Sequence, residues 1–412
     1  MMTRRAVLRG AATGLALAAG ARWFAGRAGA QPGGVLGPDT LPQGTLDSAV
    51  LHALKGKKPL VKRTFRPPNY ETPVAYFNEP FTPNDAFFVR YHLANIPEVD
   101  GGAWRLRIGG EGVERPFELS LAELKTRFPA VELAAVLQCS GNRRGLSRPH
   151  VPGVEWGYGA MGNAVWKGVR LKDLLAKAGL RKEALELVCD GADTAAADKT
   201  PDFVKSLPLW RAQDENTLVA YEMNGEPLPH WNGFPARVIV PGWTGTYWMK
   251  HVTSLDVVTQ PFKGFWMASA YRIPKGKFAL VDRFVSQETE VNTPIAEMVV
   301  NSLITAPAAG QDLRAGQSAG IKGIAWDAGY GIEGVEVSTD GGQSRRPAQL
   351  GRDLGRFAWR PWSFAFVPER AGDYTVLAKA TNRLGASQPA EAIFNPAGYH
   401  HNAVSRATIR AI

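Results

Sequence analysis

Apolar and polar positions follow two different periods along the chain. Over residues 104–108 they alternate, which predicts a strand closed by the turn at 109–112. Over 119–128 the apolar spacing is helical, with Ser120 placed as N-cap, and 171–178 repeats that pattern up to Gly179. Short apolar runs at 134–137, 185–189, 237–240 and 255–258 predict buried strands bounded by turn residues. The stretch 87–92 predicts another strand, and its period of two sets Arg90 and His92 on one face. Beyond about residue 290 the pattern becomes short alternating strands, including Val335/Val337, Trp362/Phe364/Phe366 and Tyr374/Val376, with Asp-Gly-Gly and Ala-Gly-Asp turns between them. That spacing predicts an immunoglobulin-like sandwich.

The predicted fold class is α+β, a mixed α/β domain followed by an all-β sandwich. Residues 31–80 are rich in Pro and Gly, only weakly periodic, and read as an extended arm. The expected divisions are 1–30, 31–80, 81–288 and 289–412. A length of 412 residues with 45% hydrophobic and 21% charged residues suits a globular protein of two or three domains.

Charge changes the picture mainly at the start of the chain. The formal net charge is +10, but residues 1–30 hold five arginines and no acid, and without them +5 remains. Arg4-Arg5 precedes an apolar segment at 11–19 and the small-residue site Ala28-Gly29-Ala30. This predicts a cleaved twin-arginine signal and folded export to the periplasm. The mild remaining positive charge suits an anionic substrate. No basic run with interleaved aromatics occurs, so no nucleic-acid partner is expected.

The chemistry concentrates at Gln138-Cys139-Ser140-Gly141-Asn142-Arg143-Arg144. Here a predicted strand delivers one of only two cysteines to a turn, close to an arginine pair that favours a thiolate. Cys139 can serve as a nucleophile, as a soft-metal ligand or simply as core packing, and a bridge to Cys189 is the remaining structural use. Arg90 with His92 can bind a small anion, or can pair with a buried acid as framework. Arg143 and Arg144 suit either an oxyanion site or surface charge, and Tyr271 either packing or chemistry. No CxxCH occurs and two cysteines cannot hold an iron–sulfur cluster, so no haem is expected on this chain.

Several strings in order resemble the sulfite oxidase family of molybdenum enzymes. They are Phe88-Val89-Arg90-Tyr91-His92, the Cys139 segment, Gly153-Val154-Glu155-Trp156, Ala220-Tyr221-Glu222-Met223-Asn224-Gly225 and Gly233-Phe234-Pro235-Ala236-Arg237. The resemblance implies a molybdenum–molybdopterin cofactor with Cys139 as the metal ligand. Phe88, Val89, Arg90, Tyr91, His92, Asp193, Asn232, Arg237, Trp248, Met249 and Lys250 are implied to hold the pterin and its phosphate. Arg90, His92 and Tyr271 are implied to receive the substrate. Asn232 stands where the animal and plant enzymes carry His; it keeps hydrogen-bonding capacity but cannot titrate. The implied reaction is oxidation of sulfite to sulfate, with electrons leaving to a cytochrome c, either soluble or a separate subunit. The sandwich implies a homodimer or a heterodimer with that subunit. The alternatives are a sulfane-sulfur dehydrogenase and, from another class, an exported hydrolase using Cys139 with His92 or His150 as base.

Overall fold

The computed structural model describes residues 51–275, 291–308 and 311–412. The expected signal at 1–30, the first part of the arm and the division at 288/289 lie outside these residues.

The described part of the segment expected as an extended arm, from residue 51 on, contributes three strands to a sheet. Leu51–His52, Leu60–Thr64, Asn69–Glu71 and Val89–Arg90 form an antiparallel four-stranded sheet. Each strand is too short, and too broken by Pro, for its period to show in sequence. What holds them is a buried cluster of Leu60, Tyr70, Val89 and Tyr91. Only Val89–Arg90 of the predicted strand 87–92 is laddered.

Two five-stranded sheets follow. One has the order Lys205–Pro208, Glu186–Gly191, Val252–Val258, Arg105–Gly109, Phe117–Ser120, and its Val252–Val258/Arg105–Gly109 pair is parallel. The other runs Glu226–Pro227, Leu218–Met223, Met161–Arg170, Ala130–Gln138, with Arg237–Ile239 beside Leu218–Ala220 on the edge that Glu226–Pro227 pairs further along. Among the described residues the helices are short. Leu121–Arg127 starts with a full capping box: the Ser120 hydroxyl accepts from the Glu123 N–H at 3.2 Å, and the Glu123 carboxylate accepts from the Ser120 N–H at 2.9 Å. Leu171–Ala178 ends where Gly179 takes φ 72°, a conformation glycine adopts without strain. The fold is α+β, with strands predominating.

The C-terminal part is a sandwich. One sheet is Asn301–Ala306, Ala319–Trp326, Arg360–Phe366, Gln349–Leu350; the other is Arg346–Pro347, Ile332–Ser338, Gly372–Asn382, Ser405–Ala411. Alternate residues of both sheets, among them Ile321, Trp362, Phe364, Val335, Val376 and Ala378, form its core.

No disulfide joins Cys139 and Cys189; both are free and buried. Cys189 is opposite Lys205 and Leu255 in the middle of its sheet, where burial pushes its thiol pKa up. It is a core residue.

Candidate active site

Cys139 lies one residue past the strand Ala130–Gln138, and its own N–H donates to the Ala160 carbonyl at 2.9 Å. The turn after it is tight. The Asn142 N–H donates back to the Cys139 carbonyl at 3.0 Å, the Asn142 side chain accepts from the Ala160 N–H, and Arg143 takes φ 69°. A Cβ on Gly141 would meet the Arg144 guanidinium at 2.5 Å, so a larger residue there would displace that side chain.

Arg143 and Arg144 are neither an oxyanion site nor surface charge. Both are buried. Arg143 lies against the Tyr158 and Trp326 rings and donates to the Ser302 and Ala403 carbonyls. Arg144 donates to the Ala397 and Val154 carbonyls beneath the Tyr399 ring. The pair ties the Cys139 turn to the C-terminal part.

A cleft opens over Cys139. Phe88, Arg90 and His92 line it, as do Asp193, Asn232, Arg237, Trp248, Met249, Lys250 and Tyr271. Val89 and Tyr91 do not. The period of two turns them to the opposite face, into the cluster with Leu60 and Tyr70, so their side chains cannot contact a ligand in the cleft. Tyr91 acts from behind: the Lys250 ammonium sits 3.3 Å from its ring centre, and its hydroxyl is 2.7 Å from His251 Nε2.

Arg90, His92 and Tyr271 meet. Arg90 donates to Asn69 Oδ1 at 3.1 Å, to the Tyr91 carbonyl and to the Tyr271 hydroxyl at 3.4 Å. Among the described residues no carboxylate pairs with it. Burial works against its charge, but Tyr271 and Cys139 outweigh burial and raise its pKa. A guanidinium only donates, so the Tyr271 oxygen accepts from Arg90 and its proton is directed to His92 Nε2. Burial, then the charges of Arg90, Lys250 and Lys205, push the His92 pKa well down, so its ring is neutral. That ring stacks on Phe203 with centres 3.6 Å apart. Tyr271 takes φ 56°, a strained value for a tyrosine, and its ring stacks on Tyr399 at 5.5 Å.

The other end of the cleft is cationic. Arg237 is 3% exposed and donates to the Asn232 and Trp248 carbonyls; burial lowers its pKa to about 9. Burial lowers Lys250 to about 7 against the favourable charge of Asp193, whose own pKa burial raises. Asn232 spends its amide on Lys57 and on the Phe88 carbonyl. Trp248 donates its indole N–H to the Trp243 carbonyl, and Met249 is buried beside it.

Sequence reading missed Lys57, Lys205, His251 and Tyr399. Lys205 is 1% exposed, donates to the Trp266 carbonyl at 2.6 Å and lies over the Tyr247 and Tyr271 rings. Tyr399 comes from the C-terminal part. For Lys57, Lys205 and His251 the only available signal was chemical type, whereas Tyr399 lies in Gly398-Tyr399-His400, a string that resembles the family's closing segment.

These residues fit a molybdenum–pterin group. Three cations face the cleft against one carboxylate, Asp193. Arg90 Nε, Ser140 Oγ, Arg237 Nε and Thr246 Oγ1 are buried on its walls with no protein partner, donors waiting for an anionic, polar ligand. Among the described residues no group of three or more His, Cys, Asp or Glu could hold a metal. Cys139 can therefore supply one thiolate, and the remaining ligands must come with the cofactor. The arrangement does not suit a cysteine hydrolase. His92 Nε2 is engaged with Tyr271, and His150 is exposed and paired with Glu155 at 3.4 Å.

His251 sets an acid limit. Its Nδ1 lies 2.6 Å from the Phe234 carbonyl, so that nitrogen carries the proton and Nε2 accepts from Tyr91. Burial lowers its pKa to about 3 and that of His400 to about 4. The unfolded chain takes up these protons first, near pH 6.5, so stability present above that pH is lost as pH falls toward 3–4. By pH 5 each imidazole is expected to remove about 2 kcal/mol. A melting temperature that stays level from pH 7 to pH 5 would contradict this.

Known proteins agree with the geometry. Residues 92–266 match the oxidoreductase molybdopterin binding domain and 292–412 the Mo-co oxidoreductase dimerisation domain. Mitochondrial sulfite oxidase of Rattus norvegicus is 34% identical over 362 residues, 84% of this chain and 65% of that one. Sulfite oxidase of Gallus gallus is 36% identical over 336 residues, 79% and 72% of the two chains. The chain thus spans less than two thirds of the rat protein. The crystal structure of the sulfane dehydrogenase SoxCD from Paracoccus pantotrophus superposes with TM-score 0.72 at 25% identity, covering 84% of this chain and 86% of that one. With its cysteine, its cationic cleft and both domains accounted for, this chain belongs to the sulfite oxidase family and takes a molybdenum–molybdopterin cofactor.

Proposed function

We propose that the protein oxidises sulfite to sulfate in the periplasm and passes the electrons to a separate cytochrome c. The observation that carries this reading is the Arg90–His92–Tyr271 cluster beside Cys139, a small anion site in which no carboxylate among the described residues pairs with Arg90. Sulfite and water give sulfate, two protons and two electrons. When bound, the molybdenum–molybdopterin group supplies the two-electron sink and releases the electrons singly. Cys139 would hold the metal. Arg237 and Lys250, with the Ser140 and Thr246 hydroxyls, would hold the pterin and its phosphate. Arg90 binds the sulfite oxygens and stabilises the charge that builds on them. Neutral His92 is placed to take a proton, relayed through the Tyr271 hydroxyl. The dimerisation-domain match supports a dimer.

The test is sulfite-dependent reduction of cytochrome c by the purified protein, with molybdenum measured per chain. The similarity to SoxCD favours one rival, action on sulfane sulfur. Inactivity on free sulfite together with turnover of a protein-bound sulfane would replace the proposal. Export is tested separately. Changing Arg4 and Arg5 to Lys is expected to leave the protein folded in the cytoplasm, seen by cell fractionation. Periplasmic recovery at the unchanged level would remove the twin-arginine route.

A further inference from the structure

We propose that Lys57 and Asn232 form a latch that fastens the N-terminal sheet to the cofactor cleft and sets the position of Arg90 and His92. Lys57 is 7% exposed and lies 175 residues before Asn232 in sequence. Its ammonium donates to the Asn84 carbonyl at 2.6 Å, to the Phe87 carbonyl at 3.1 Å and to Asn232 Oδ1 at 2.5 Å. Three protons meet three neutral acceptors, so the group is fully used without a carboxylate contact. Asn232 continues the chain of bonds. Its Nδ2 donates to the Phe88 carbonyl at 3.1 Å, and its own carbonyl accepts from Arg237 at 2.9 Å.

The latch therefore grips Phe87 and Phe88, the two residues that lead into Arg90 and His92. At its other end it grips Arg237, on the cationic wall. It also gives a physical reason for asparagine at 232. An amide accepts from an ammonium and donates to a carbonyl at once, without itself titrating. A histidine in this place could do both only as the neutral ring, in one tautomer. Lys57 and Asn232 are positioning residues; both act through the groups they hold.

The test uses the holoenzyme with Lys57→Met, Asn232→Ala and the double variant. Molybdenum and pterin retained through extended dialysis are measured first, then KM and kcat for sulfite. Each single change is expected to shorten cofactor retention about tenfold and to raise KM more than it lowers kcat. The double variant is expected to be no worse than the weaker single, because both changes open the same latch. Asn232→Asp, which keeps the acceptor, is expected to recover at least half of the retention lost in Asn232→Ala. Wild-type retention in both single variants, or multiplicative losses in the double, overturns the latch. Should Lys57→Met fail to fold, Asn232→Ala and Asn232→Asp decide the question alone. The KM arm rests on the sulfite reading; the retention arm does not. A protein inactive on sulfite thus sinks that reading while leaving the latch open to its own test.

Discussion

Cys139→Ser is expected to fold at wild-type yield and to lose sulfite turnover by on the order of 100-fold or more. Serine replaces the thiol almost atom for atom, and the backbone bond from Cys139 to Ala160 does not involve the side chain. The strand Ala130–Gln138 and the bonds of Asn142 are likewise untouched. What changes is chemistry. A serine hydroxyl is not ionised near neutral pH and is a hard oxygen donor, whereas a thiolate is soft and anionic. Because the protein has only this thiolate to offer in the cleft, nothing nearby substitutes. Metal analysis beside the cytochrome c assay is the check. Full turnover with full metal content would return Cys139 to a packing role.

The second large effect is expected from Arg90→Gln, a fall in kcat/KM of about 100- to 1,000-fold, mostly through KM. The short ladder between Asn69 and Arg90 is backbone pairing, so it has no reason to open when the side chain is shortened. The fixed positive charge goes, and Tyr271 loses a donor to its oxygen. One consequence separates this from general damage. The charge of Arg90 helps hold the His92 pKa down, so its removal lets that pKa rise. The acid limb of the activity profile should therefore shift to higher pH in the variant. Unchanged kinetics across pH would make Arg90 part of the framework only.

Much of the framework was readable because it depends on local pattern. The Ser120/Glu123 capping box and the helix closed by Gly179 need only their own residues. The period of two in 87–92 set Arg90 and His92 together, and they do line one cleft although only two residues of that stretch are laddered. The same period should have removed Val89 and Tyr91 from the ligand-facing set. Reading a motif as a block hid this, whereas reading it by alternation separates the two faces. The arginine pair was misread for a different reason. A buried guanidinium that meets only carbonyls and aromatic rings has no short-range sequence signature, and its partners here are 159 and 253 residues away.

The two-part organisation, the secondary elements with clear periodicity, the thiol at a strand end and the collinear family motifs are all legible in the chain alone. Each of these depends on residue type and near neighbours along the chain. What the charges do follows from the folded arrangement. It buried Arg143 and Arg144 as ties to the C-terminal part, brought Lys57 beneath the Phe88 motif, and placed Lys205 and Tyr399 around Tyr271. The reason is that a charge in a low-dielectric interior takes its role from whatever the fold brings within a few ångströms of it. Those neighbours come from distant segments, and no local pattern specifies them.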